Sequence, residues 1–250
     1  MTQSVRDLEN TFAYSFLLLV RNWAIIVPGL LLGAIGVGLG YAILAIAGGA
    51  AAIGGVTGTE SASTLPEELL SILAAVVAVI LALVTLICEM AYVTGMAGAA
   101  WKDGTAHLRD GYEAFERRGT QIFIAIVVLS IGGFLAAVLA PFTLLLSAAA
   151  YALFGIYTMA AVIIGNRTAF EAIAESCRLA WKNLLPTLAV VTLVVLVAIA
   201  GGWVGTLLGR WVPIPLLSGL LTAVVQQIIV AYATLVIAGE YLKLRGIQVL

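Results

Sequence analysis

Six stretches of this chain carry almost no charge, at 23–54, 69–100, 122–140, 142–165, 185–208 and 216–241. About 20 apolar residues in a helix cross the roughly 30 Å of hydrocarbon in a bilayer. Lipid offers no partner to a free backbone N–H or C=O, so spans of this composition must be helices. The stretch 122–165 would be about 66 Å long as a single helix, too long for one crossing, and Pro141 divides it. The first two runs exceed one bilayer thickness and are expected to tilt, kink or project. The chain is 63% hydrophobic and 10% charged, with a mean hydropathy of +1.15. A soluble domain is roughly half apolar and a quarter charged, and a globular core could not absorb the excess. The N-terminus is expected to be retained, because Asp7 and Glu9 follow Arg6 and the first apolar run begins too late for a secretory signal.

Basic residues set the expected orientation. All but one of the 12 Lys and Arg fall before the first run, between runs two and three, between runs four and five, or after run six. The exception is Arg210. This bias puts both termini in the cytoplasm of a cell whose inner or plasma membrane holds the chain. Trp23, Trp101 and Trp181 would mark the inner boundary and Trp203 and Trp211 the outer one, as an aromatic belt. The outer loop 55–68 is short, polar and acidic.

Three amphipathic segments precede spans on the basic side. In 168–184, Thr168 and Glu171 form a T-x-x-E capping pattern. Phe170, Ile173, Ala174, Cys177, Trp181 and Leu184 make an apolar face there, and Glu171, Glu175, Arg178 and Lys182 a charged one. In 4–22, the stripe is Val5, Leu8, Phe12, Phe16 and Leu19; in 108–121 it is Leu108, Tyr112 and Phe115. Such helices lie in the interface plane. Arg21, Arg117, Arg118, Arg178 and Lys182 would then reach anionic headgroups. The expected architecture is an all-α integral membrane protein, one polytopic domain over 1–250. It has six transmembrane helices and three cytoplasmic interfacial helices, in a threefold repeat of interfacial helix plus hairpin.

Glu89 stands out because it lies well inside the second run. An ionisable group there must face the bundle interior or water. Gln226 and Gln227 in the last run sit at a comparable depth, and Tyr92 is one turn along. These four make a candidate intramembrane polar site, either for a transported proton or solute or simply for packing through interhelical hydrogen bonds. The glycine patterns at 29–33 and 36–40 read as close helix packing. No catalytic motif, nucleotide fingerprint or metal spacing occurs, so no cofactor is expected. His107 reads as a solvent-exposed loop residue, and Glu240 as an acid at the inner end of the last span within reach of headgroups or water. A net charge of −1 gives no reason to expect nucleic acid.

Phe170, Ala172, Ile173, Ser176, Leu179 and Asn183 follow the pattern F-x-A-I-x-x-S-x-x-L-x-x-x-N, and the chain closes on Tyr241-Leu242-Lys243-Leu244-Arg245. In both features it resembles the YciC-type bacterial membrane proteins. It is also similar to the membrane domain that accompanies some glycerophosphoryl diester phosphodiesterases. The resemblance implies a six-helix inner-membrane protein and no phosphodiesterase chemistry. The expected function is therefore non-enzymatic: organising the membrane, or binding lipids, a protein partner or a second copy at the cytoplasmic face. The alternatives are a small-solute or ion transporter built around Glu89, and a membrane subunit of a separate soluble enzyme.

Overall fold

The computed structural model describes residues 3–35, 67–143, 145–211 and 215–247. Every regular element among them is helical. The elements are α1 (Gln3–Arg21), a 3-10 turn (Trp23–Ile26), α2 (27–35), α3 (Glu67–Asp103), α4 (Leu108–Leu139), α5 (Leu146–Gly155), α6 (Thr158–Ile163), α7 (Ala169–Lys182), α8 (Leu184–Trp211) and α9 (Pro215–Leu244). The second half of the first apolar run, most of the loop 55–68 and the glycine pattern 36–40 lie outside the described residues.

Among the described residues, four helical stretches are long and apolar enough to cross a membrane: Leu108–Leu139, Leu146–Ile163, Leu184–Leu208 and Leu217–Leu244. A fifth arises if Glu9–Arg21 and Trp23–Ile35 count as one bent span, but these two helices meet at 86°. The chain is thus an all-helical protein of multi-pass membrane character. It divides into two compact units, Met1–Leu30 with Glu89–Leu250, and Leu31–Cys88. In the second unit, helical backbone runs through 31–35 and from Glu67 to Cys88, where Thr85 bonds back to the Leu81 carbonyl (2.9 Å).

The first unit buries its core at one end. There α1, the turn Trp23–Ile26, the last turns of α3 and the last turns of α9 meet around Leu18, Ile25, Met96, Ala100, Leu235 and Leu242. Trp101 is 3% exposed and donates its indole N–H to the Leu235 carbonyl (2.7 Å). Its ring lies so close to Gly239 that any side chain there would strike it. This corrects the expected belt. Trp23, Trp181, Trp203 and Trp211 are exposed, whereas Trp101 is a core residue whose N–H reaches a backbone acceptor across the helix pair.

Helix boundaries differ from expectation in two places. Segment 108–121 is not a separate interfacial helix. It continues without a break into the span as α4, about 48 Å long in all. Arg118-Gly119-Thr120 stands where the other two segments have Arg21-Asn22 and Lys182-Asn183, and it has no asparagine to end the helix. Within that segment the inward residue is Gly111, packed on Tyr92, while Leu108 and Tyr112 are exposed. The second difference is in 142–165, which forms two helices, α5 and α6, broken at Ile156–Tyr157. Pro141 falls in the turn between α4 and α5, as its lost donor requires.

Candidate functional site

The side chains with the most chemistry gather at the basic end of the first unit, and α7 organises them. At about 100° per residue, this helix carries three stripes rather than two. Phe170, Ala174 and Trp181 point outward, and Glu171, Arg178 and Lys182 are exposed on the charged side. A third stripe of Ala169, Ala172, Glu175, Ser176, Leu179 and Ala180 is buried against the bundle. Glu175 was expected on the charged face. It is 5% exposed, because the small residues flanking it let α7 approach its neighbours closely. Thr168 and Glu171 form the expected capping box, with the Thr168 N–H donating to the Glu171 carboxylate (3.1 Å). Those Thr168 bonds hold the Glu171 carboxyl below its ordinary range, and the nearby Arg167 and Arg118 act in the same direction.

The buried Glu175 carboxylate ties three segments together. Arg167 Nε donates to one oxygen (2.8 Å). Arg245 Nε pairs with the other (3.2 Å), which also accepts the Tyr241 hydroxyl (2.9 Å). Arg245 donates in addition to the Tyr241 oxygen (3.1 Å) and lies over its ring. Tyr241 in turn faces Tyr157, with ring centroids 6.5 Å apart. Beside this cluster Glu240 is 1% exposed and pairs with Lys243 at 3.5 Å. It does not project to headgroups or water as expected; the inward turn of α9 that carries Tyr241 and Leu242 buries it as well.

Ser176 mends the break between α5 and α6. A broken helix leaves carbonyls and N–H groups without partners. The Ser176 hydroxyl donates to the Phe154 carbonyl (2.6 Å) and accepts the Tyr157 N–H (3.1 Å). The Tyr157 hydroxyl reaches Thr187 Oγ1 on α8 (3.3 Å).

Two asparagines shape matching elbows. Asn22 ends α1 with φ −119° and ψ 50°, and Asn183 ends α7 with φ −127° and ψ 52°. Each donates its amide to the carbonyl four residues back, Leu18 (3.0 Å) and Leu179 (3.1 Å). Each carbonyl already accepts the asparagine's own N–H (2.8 and 3.0 Å), so the amide adds a second donor that fastens the side chain to the last turn. Asn22 also accepts from the Ala106 N–H (2.8 Å) and donates to the Gly104 carbonyl (3.3 Å), pinning the α3–α4 connection. The two elbows share a sequence, S-x-x-L-x-x-x-N, at Ser15-Leu18-Asn22 and Ser176-Leu179-Asn183, and both serines are fully buried. The stripe of largest residues hid this signal. The inward residues of α1 are Thr11, Ser15, Leu18, Leu19 and Asn22; of the expected stripe Leu19 is buried, Phe12 half-buried and Phe16 exposed.

The expected intramembrane residues are placed as follows. The Gln227 side chain faces Glu89 and lies against Gly29, where no side chain would fit. Gln226 is exposed on the outer side of α9. Tyr92 stacks on Phe115 (centroids 6.4 Å apart) and packs over Gly111. Of the expected headgroup contacts, Arg21, Arg178 and Lys182 are exposed. Arg117 is exposed with Glu113 at 3.9 Å. Arg118 instead grips Asn166, donating to its side-chain and main-chain oxygens; Asn166 holds a left-handed turn (φ 57°) there. His107 is exposed and caps α4 together with Asp110.

Between the end of α3, the start of α4 and the loop after α6 lies a cleft of about 340 Å³. Lys102, Asp103, Asp110, Glu113, Arg117 and Arg118 line it. Gly95 and Gly98 let Ala114 and Ile164 close in at its sides.

Comparison with known proteins found no matching family model, no curated protein and no solved structure similar to this chain.

Proposed function

We propose that the chain is a six-span inner-membrane protein with cytoplasmic termini. In this reading it has no catalytic activity and works at the inner leaflet, binding lipids and a protein partner or a second copy. The observation that carries this reading is the three-striped α7. One stripe docks on the bundle, one is apolar and uncovered, and one is charged. A helix with those faces, joined by an elbow to a span, suits the plane of a membrane interface and little else. The same elbow at Asn22 supports a repeat of interfacial helix plus hairpin, with α4 as a copy that has lost its elbow. The resemblance to YciC-type proteins points the same way. Arg21, Arg178 and Lys182 would sit among anionic headgroups, each contributing about 1 kcal/mol near the surface.

The test is lipid retention by the purified protein, read by native mass spectrometry. Phosphatidylglycerol should be retained over phosphatidylcholine, and R178Q with K182Q should reduce that preference. Equal retention of both lipid classes by the parent protein counts against the reading.

A second reading rests on the Glu89–Gln227 contact. A carboxyl and an amide facing each other inside the bundle are the parts of a small-solute or proton pathway. Solute flux through reconstituted protein, abolished by E89Q, would favour that reading over the first.

A further inference from the structure

The cleft at the ends of α3 and α4 lies where three segments pass from apolar to charged sequence. Helix α3 is apolar up to Trp101 and then reads Lys102-Asp103; α4 carries Arg117-Arg118 before its apolar run; α6 ends at Ile163 ahead of Asn166-Arg167. In a bilayer this boundary is the headgroup layer. At about 340 Å³ the cleft is at the small end of the range for small-molecule pockets, roughly 300–1,000 Å³. It has room for a headgroup-sized ligand.

The charges around it are balanced, three basic and three acidic, and most are already engaged. Arg118 is held by Asn166. Asp110 accepts the His107 N–H (2.7 Å) to cap α4. Glu113 is paired with Arg109 at 2.8 Å. Lys102 and Asp103 are exposed and enter none of the ion pairs found among the described residues. Arg117 makes one loose contact of 3.9 Å. The groups left over are thus two cations and one carboxylate within a single small cleft. A simple anion would leave Asp103 facing it unfavourably, and a simple cation would meet Lys102 and Arg117.

We propose that this cleft holds a phosphate–ammonium zwitterion of the phosphoethanolamine type, with the phosphate against Lys102 and Arg117 and the ammonium against Asp103. The inference deepens the lipid-binding reading given above and rests on it for the position of the cleft at the membrane surface. Charge-assisted bonds to phosphate and ammonium are strong and directional enough to select this headgroup.

The test uses the full-length protein in detergent, titrated with short-chain phosphatidylethanolamine, phosphatidylglycerol and phosphatidylcholine, and with soluble phosphoethanolamine as competitor. Phosphatidylethanolamine should bind about tenfold tighter than the other two lipids, a difference of about 1.4 kcal/mol. K102Q and D103N should each remove that preference, and R210Q, in the last turn of α8, should leave it intact. Both variants change exposed side chains, and an unchanged thermal melt will show that the fold is kept. Competition by soluble phosphoethanolamine at matching concentration would support the site with a free ligand; failure to compete would support it with the lipid. Equal binding of phosphatidylglycerol or phosphatidylcholine, or no binding at all, would overturn the proposal. Loss of anionic-lipid retention with phosphatidylethanolamine binding intact would sink the broader reading and leave this site standing.

Discussion

Replacing Glu175 with Gln removes one charge from the centre of a buried cluster, and the structure sets the size of the effect. Glu175 is 5% exposed and pairs with Arg245, whose side chain is 26% exposed, and with Arg167, which is 41% exposed. A hydrogen bond to a charged group contributes about 1.5–3 kcal/mol. The Arg167 bond deserves the low end or less, because that guanidinium rehydrates when released. Arg245 is more enclosed and also holds Tyr241, so its loss sits near the upper end. The sum is about 3 kcal/mol, at the lower edge of the roughly 3–5 kcal/mol seen when one partner of a buried pair is removed. For a chain of this size that corresponds to a melting temperature lower by about 6–12 °C. The assay is thermal unfolding of the purified protein in detergent, for E175Q, R245Q and the double variant. A coupling of about 1.5–3 kcal/mol between the two positions is expected. An E175Q variant that melts within about 0.5 kcal/mol of the parent, or a coupling near zero, refutes the claim that this carboxylate locks α7 to α9.

Three further outcomes follow from named contacts. N22L should destabilise by about 1–3 kcal/mol and more than N183L, because Asn22 also holds Ala106 and Gly104 while Asn183 bonds only its own helix in the hydrogen bonds described; comparing the two thermal melts decides it. G239A should lower the melting temperature and alter tryptophan emission, because the added methyl strikes the buried Trp101 ring; an unchanged emission spectrum would mean that the ring is not seated there. The Glu171 carboxyl is held below its ordinary range, so the N-terminal cap of α7 is intact above the unfolded-state pKa and is lost as pH falls through the lower folded value. Hydrogen exchange in the first turn of α7 should therefore quicken only in acid below that range, and exchange that quickens near neutral pH would contradict the sign.

The last four apolar runs, from 122–140 to 216–241, were legible as membrane-length helices because apolar run length is a strong signal against a bilayer of known thickness. The capping box of α7 was legible too, since T-x-x-E is a local pattern with a local mechanism. What escaped was the inward face of each amphipathic helix. Large residues dominate any reading of amphipathicity, yet in a membrane protein Phe16, Phe170 and Trp181 face outward and Thr11, Ser15, Ala172 and Ser176 pack inward. Reading the small residues as the packing face would have placed Glu175 inside and aligned the two S-x-x-L-x-x-x-N elbows. Trp101 was misplaced for the opposite reason: its position at the end of an apolar run suits a belt, and only the α3–α9 packing shows that Gly239 makes room for it. The engagement of Arg118 with Asn166 spans 48 residues of sequence and left no local trace.

The central claim is that α1 and α7 lie along the membrane surface at elbows made by Asn22 and Asn183. Spin labels placed in turn at Phe16, Leu17 and Val20 on α1, and at Phe170, Ala174 and Trp181 on α7, test it most directly through their relative accessibility to oxygen and to a water-soluble relaxant. The account predicts that all six report a similar shallow depth, about 5–10 Å below the headgroup boundary. A depth that changes steadily along either helix, by about 1.5 Å per residue, would mean that the helix crosses the bilayer and would contradict the account.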